Sequence, residues 1–571
     1  MTRKFVAICC FLIGYLGTNW RVEAQTTQVP APTGAGQSNI QSTDTSNGAE
    51  NTSSGGPTAE AQPNNTSAVA GQRFSFVGSI EIAEIYNSNI FSTASSPNNI
   101  FSTGATSPKS ALVTESRLNL NLHDRTRRFQ GDLAYSLVGD FYPQYNSLNT
   151  FQNYLNALAN AELMPETIFL NARAFAWPAF LNRLGALYAS PGNASSLNNR
   201  NVYGYTLTPD LRTRFRDIAR SDLSLSRDEV LFDEPAGAAI GPAPPLGSPL
   251  NTVTNSVTER LSSLTFFDRF QWVLLASASD TSQDRFHASQ RIGTADLNYR
   301  LSRPFTVLST IGYQKYKSSP ALTQDISGLI AYAGFHYSPD PSFQLTFKAG
   351  RQYNQPSYIG NLQYQITATS AFLVSVDDVV STPQQRFLGN LSNINATAQG
   401  GFYQANTQLP DESVFSNLPP SSTQVINPSP ADGLSLDNAV SRYRTGTATL
   451  IHKMPLTTYS FSVYGTVRDY LTSIPSNIDP RQTVIGTRLE VSHSFRRDLS
   501  GGVSVDYSAA REFGGIDKIF LASTNLDYVV TPVWTVFVRG SYLNREGGTS
   551  LFFGSGALSD VLISLGIRRT F

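Results

Sequence analysis

Five histidines, His123, His287, His336, His452 and His493, are the side chains best suited to metal ligation or proton transfer near neutral pH. They are scattered, and no two stand at the helical ligand spacing of an H-E-x-x-H motif. The two thiols, Cys9 and Cys10, fall at the start of the chain. That removes disulfides, zinc-thiolate sites and cysteine nucleophiles from the remainder. A Ser-His-Asp site assembles by geometry rather than by spacing, so an enzyme stays open as a third reading. The expectation is no catalysis and no cofactor. Asp228, Glu229, Asp233 and Glu234 gather carboxylates that would suit calcium. They lack the spacing of an EF-hand loop, and a solvated strand end competes with the metal reading. His123-Asp124 with Arg125, Arg127 and Arg128 reads as a solvated basic turn.

The remaining candidates are charges that recur on alternate residues: Arg117, Asp132, Lys348, Arg468, Arg488, Glu490, Asp506, Asp527 and Arg539. They would either line an aqueous passage with mixed charge or form structural ion pairs that fill space. Both readings stay open, and the elements that hold the charges must decide.

Those elements are strands. In residues 534–542 one parity carries Trp534, Val536, Val538, Gly540 and Tyr542, and the other carries Thr535, Arg539 and Ser541. Leu118, Leu120 and Leu122 alternate with Arg117, Asn119 and Asn121, and Phe343, Leu345 and Phe347 alternate with Gln344, Thr346 and Lys348. Ile485, Leu489, Val491 and Phe495 oppose Arg488, Glu490, Ser492 and Ser494 in the same way. A period of two with one apolar face means a half-buried strand.

About 22 such segments follow residue 73, most of them about 10–15 residues long against about 5–6 for a common soluble strand. A strand that crosses a bilayer needs about 9–11 residues. Tight turns are expected near Arg125, Pro165, Asp217, Asp268, Pro304, Pro339, Thr369, Pro455, Arg497 and Pro532. Longer polar stretches alternate with them at 87–111, 178–199, 231–253, 381–438 and 546–556. Short turns on one side and long loops on the other are the asymmetry of outer-membrane barrels. Proline at five of the tight turns fits, because it cannot donate to a strand ladder. The fold class predicted is all-β, an antiparallel transmembrane β-barrel of about 22 strands over 73–571, or about 18–20 if some pairs merge.

Aromatic residues stand at both strand ends, where rings prefer the headgroup level. Phe270, Trp272, Phe305, Phe343, Tyr459, Phe495, Tyr528 and Trp534 lie beside tight turns. Tyr86, Tyr142, Tyr313, Tyr353, Tyr470, Tyr507 and Tyr542 lie towards the loops. The last strand places Ile563, Leu565, Ile567 and Phe571 on one parity, resembling the C-terminal assembly signal of bacterial outer-membrane barrels. Arg569, on the same parity, departs from that pattern.

Composition agrees with a membrane barrel. Of 571 residues, 15% are charged and 11% aromatic, against about a quarter charged in soluble domains. Lysine plus arginine and aspartate plus glutamate each number 42, so net charge is zero and no nucleic-acid partner is expected. No apolar run reaches the length of about 18 residues that a membrane-spanning helix requires. Arg3 and Lys4, an apolar stretch over 5–17 and Val22-Glu23-Ala24 read as a cleaved signal peptide, 1–24. Residues 25–72 contain no aromatic, lysine or arginine and are expected to be disordered. They are too short and too polar for the plug of a TonB-type receptor.

Several segments resemble a family of outer-membrane barrels associated with PEP-CTERM protein sorting and exopolysaccharide loci. They are residues 84–91 (Glu-Ile-Tyr-Asn-Ser-Asn-Ile-Phe), 156–163 (Asn-Ala-Leu-Ala-Asn-Ala-Glu-Leu), 205–212 (Tyr-Thr-Leu-Thr-Pro-Asp-Leu-Arg) and the closing strand. The resemblance covers most of 74–571. It implies an envelope barrel without catalytic residues, and exopolysaccharide export components as partners. The 381–438 connection is longer than that pattern. The functions expected are a porin-like pore or export component for polar solutes or polysaccharide in the bacterial outer membrane, or a non-conducting surface-interaction barrel. The partners expected in either case are outer-membrane lipids and the barrel-assembly machinery.

Overall fold

The computed structural model describes residues 74–90, 108–180, 199–232, 251–264, 266–267, 269–283, 286–319, 322, 326–382, 394–396, 402–404, 440–471, 481–512, 515–547 and 558–571. The predicted signal peptide and the 25–72 segment lie outside them. The strands are β1 Phe74–Asn87, β2 Ala111–Arg125, β3 Phe129–Phe141, β4 Thr150–Met164, β5 Ile168–Phe180, β6 Asn199–Phe215, β7 Ala219–Phe232 and β8 Thr252–Ser263. They continue with β9 Phe270–Gln283, β10 Phe286–Arg300, β11 Phe305–Ser319, β12 Gly328–Asp340, β13 Phe343–Gln352, β14 Gln355–Thr367, β15 Ser370–Ser381, β16 Ile394–Ala396 and β17 Phe402–Gln404. The last are β18 Ser441–Lys453, β19 Thr457–Tyr470, β20 Arg481–Arg496, β21 Leu499–Glu512, β22 Gly515–Thr531, β23 Trp534–Gly547 and β24 Leu558–Thr570.

Every long strand pairs antiparallel with its neighbours in the chain, β15 pairs with β18 across the longest connection, and β24 pairs with β1. The result is a closed, up-and-down sheet of 22 strands, and β16 and β17 form a separate two-stranded hairpin. Closure matters because an open edge would leave a row of backbone donors and acceptors without partners in lipid.

The tight turns fall where the sequence places them, with two or three residues between strands at most of the ten sites. The other side departs from strict alternation. The connections β9 to β10, β13 to β14 and β21 to β22 each contain two residues, as short as any on the opposite rim. At β13 to β14 the reason is visible. Tyr353 and Asn354 both adopt positive φ, 54° and 58°, which suits the tight hairpin turn with two left-handed central residues.

The outward parity is apolar and exposed: Ile80, Ile82, Leu112, Ile311, Ile485 and Leu489 among others. A water-soluble protein does not present such a belt continuously, whereas a lipid-facing surface requires it. Near the tight-turn end an aromatic row runs across four strands. Phe305 stacks on Phe335 at 5.8 Å, Tyr337 meets Phe343 at 6.0 Å, and Phe343 meets Tyr364 at 5.5 Å. Tyr142, Tyr353 and Tyr470 do not join a girdle: Tyr470 shares the inward parity of Arg468 and lies beneath its guanidinium. Tyr142 and Tyr353 are buried within apolar clusters near the loop-side rim, and the Tyr353 hydroxyl accepts a hydrogen bond from the Val380 amide at 3.2 Å.

Candidate functional site

Residues directly opposite each other in an antiparallel ladder share a face, so the register carries one parity round the ring. Arg117 stands opposite Glu81, Arg488 opposite Ser462 and Asp506, and Glu490 opposite Ser460 and Ser504. Arg539 stands opposite Asn525 and Ser564, and Asp527 opposite Phe537. Lys348 faces Gly334, Arg468 faces Tyr443 and Gln482, and Asp132 faces His123. The register sets all nine on the face opposite the apolar belt. A charge facing lipid at the bilayer midplane costs about 2–4 kcal/mol, which turns this face to the lumen.

Most of these charges are tied to partners. Arg488 donates to Asp506 at 2.9 Å, and the Tyr464 hydroxyl donates to the other Asp506 oxygen at 2.9 Å. Lys348 donates to Asp296 at 3.2 Å and to Thr310 at 3.1 Å. Arg468 donates to the Ser441 hydroxyl at 3.0 Å and stacks over Tyr470, its guanidinium carbon 4.2 Å from the ring centre. His123 pairs with Asp132 at the tight-turn end, so this residue of the basic turn has a carboxylate partner.

The seam between first and last strands concentrates charge. Arg539 grips Glu81 through both terminal nitrogens, at 2.6 and 3.2 Å. Arg568 lies 3.9 Å from Glu81 and 3.6 Å from Asp527. Arg117 donates to Glu115 at 3.0 Å. Glu81, Glu115 and Arg568 are absent from the sequence-derived set, although Glu81 sits between Ile80 and Ile82 with the same alternation that marks the others. Arg442, also missed, is at the root of the long connection and donates to Asp378, to Gln355 and to the Pro356 carbonyl at 2.8 Å.

The acidic group splits. Asp228 and Glu229 are adjacent on β7 and point to opposite faces, Asp228 accepting from the Ser226 hydroxyl at 3.2 Å and Glu229 from the Tyr205 hydroxyl at 2.6 Å. Asp233 and Glu234 lie outside the described residues. On the last strand, Ile563, Leu565, Ile567 and Phe571 all face outward and are exposed. Arg569 shares their parity and sets its guanidinium carbon 5.4 Å from the Trp534 ring centre, a cation over an aromatic face at the interfacial level.

Closure, strand number and the apolar belt define the chain as an outer-membrane β-barrel. No known protein family matches its sequence, and no curated protein does. Among solved structures, the pyoverdine outer membrane receptor FpvA from Pseudomonas aeruginosa aligns at a TM-score of 0.46 with 11% identity, over 87% of this chain and 79% of that one. The FrpB iron transporter from Neisseria meningitidis aligns at 0.47 with 8% identity, over 86% and 81%. The siderophore receptor PirA from Pseudomonas aeruginosa aligns at 0.36 with 9% identity, over 87% and 80%.

Proposed function

We propose that the barrel is a pore for polar solutes whose mouth is narrowed by the 381–438 connection. The observation that carries this reading is the position of β16, which lies within 8 Å (Cα to Cα) of β4. The connection leaves from β15 and returns to β18, and β4 is ten strand steps from β18 and eleven from β15. The hairpin therefore rests against the opposite wall. Strands about 4.8 Å apart and tilted about 40° make a ring roughly 40 Å across, with a half-circumference of roughly 70 Å. The twelve residue steps from Thr382 to Ile394 reach at most about 40 Å. That length supports a path over the mouth and is too short for one around the rim.

A mixed-charge inner wall suits hydrated, polar cargo, since lumen charges tune selectivity where water passes. The resemblance to exopolysaccharide-locus barrels supports a polysaccharide-related cargo and export partners. One observation favours the scaffold reading instead. Arg545 with Asp517, and Lys348 with Asp296, are ion pairs with little solvent exposure, closed on each other. Deleting residues 385–435 separates the two. Single-channel conductance in planar bilayers is expected to rise several-fold as the mouth clears. An unchanged conductance from a correctly assembled barrel would leave the connection as a surface loop only.

A further inference from the structure

On the loop-side half of β2 and β3, one carboxylate has no hydrogen-bond partner. Asp140 is fully buried, and neither of its carboxylate oxygens accepts a hydrogen bond. It stands directly opposite Glu115 on β2 and Thr150 on β4, all on the inward face. Glu115 is itself buried, so two carboxyl groups face each other here. Like charges directly opposite each other on a sheet, about 5 Å apart, destabilise it. An uncompensated buried carboxylate costs more still.

The guanidinium groups nearby are already committed. Arg117 donates to Glu115 Oε1 at 3.0 Å, Arg539 holds Glu81, and Arg568 lies between Glu81 and Asp527. Four carboxylates thus share three cations along this wall, and Asp140 feels the Arg117 charge without accepting a hydrogen bond from it. Its two oxygens, the second oxygen of Glu115 and the Thr150 hydroxyl are hard donors presented on one face of three adjacent strands. Calcium takes such oxygens in flexible geometry and completes its shell with water.

We propose that Asp140 and Glu115 hold one calcium ion on the inner wall of the barrel. The ion adds the ligation that Arg117 does not give Asp140 and fastens β2 to β3 near the loop-side rim. The test uses the full-length barrel folded in detergent, with calcium alone as the probe. Isothermal titration is expected to give one calcium per chain, and the thermal midpoint is expected to fall when EGTA replaces calcium. Asp140→Asn should weaken calcium binding at least about tenfold and make the midpoint insensitive to EGTA. Glu546→Gln, at an exposed rim position, should bind as the native chain does. If Asp140→Asn fails to fold, Glu115→Gln supplies the same comparison. Identical midpoints in calcium and EGTA with no binding heat would overturn the proposal, as would native calcium affinity in Asp140→Asn.

Discussion

Removal of Phe571 is expected to cut the yield of folded barrel more than any single loop change. The residue closes the ring. Its amide donates to the Gly78 carbonyl at 2.9 Å, and its carbonyl accepts from the Gly78 amide at 3.0 Å. The ring lies over Gly78 so closely that a Cβ there would sit 2.4 Å from a ring carbon, so any larger residue at 78 would have to displace the ring. Two backbone bonds worth about 1 kcal/mol each, with about 2 kcal/mol for the ring, act at the one pairing that joins chain ends. Phe571→Gln keeps the backbone bonds and should show an intermediate loss. The measurement is the folded fraction in outer membranes, read as the heat-dependent gel shift. Native yield from the truncated chain would refute the assignment.

The second large effect is expected at Glu81. Its carboxylate sits among Arg539, Arg568 and Arg117, and Arg539 donates to it from residues 458 positions away in the chain. Glu81→Gln strands buried guanidinium groups, a change that costs about 3–5 kcal/mol where one partner of a buried pair is lost. The urea midpoint of the folded barrel should fall accordingly. Replacing Glu81 and Arg539 together with leucine should recover part of the loss, because the stranded charge goes too. A midpoint that does not move in Glu81→Gln would show that water, not Glu81, satisfies those arginines.

The wall was legible in the sequence because a period of two assigns each residue to a face without knowledge of its neighbours. That is why the strand number and the sites of tight turns follow from residues such as Pro165, Pro304 and Pro532. Partners were not legible. Arg539 meets Glu81 only because β24 and β23 close onto β1, and no local pattern encodes a contact of that separation. Tyr142, Tyr353 and Tyr470 depart from the girdle for a related reason: aromatic residues near strand ends serve a girdle or the inner face equally well by sequence. The turn at Tyr353 and Asn354, with φ positive at both, aims the Tyr353 ring inward. The three two-residue connections on the loop side are not legible either, since polar residues flank short and long connections alike.

Conduction through the lumen separates a pore from a structural barrel. Purified wild-type barrel added to a planar bilayer in symmetrical salt should produce discrete current steps. Their size should be smaller than that of the 385–435 deletion if, as proposed, the connection narrows the mouth, β16 lying against β4 on the far wall. Barrel that inserts, as shown by recovery from the membrane in its heat-shifted folded form, yet passes no current in either version would contradict the pore and leave a structural barrel.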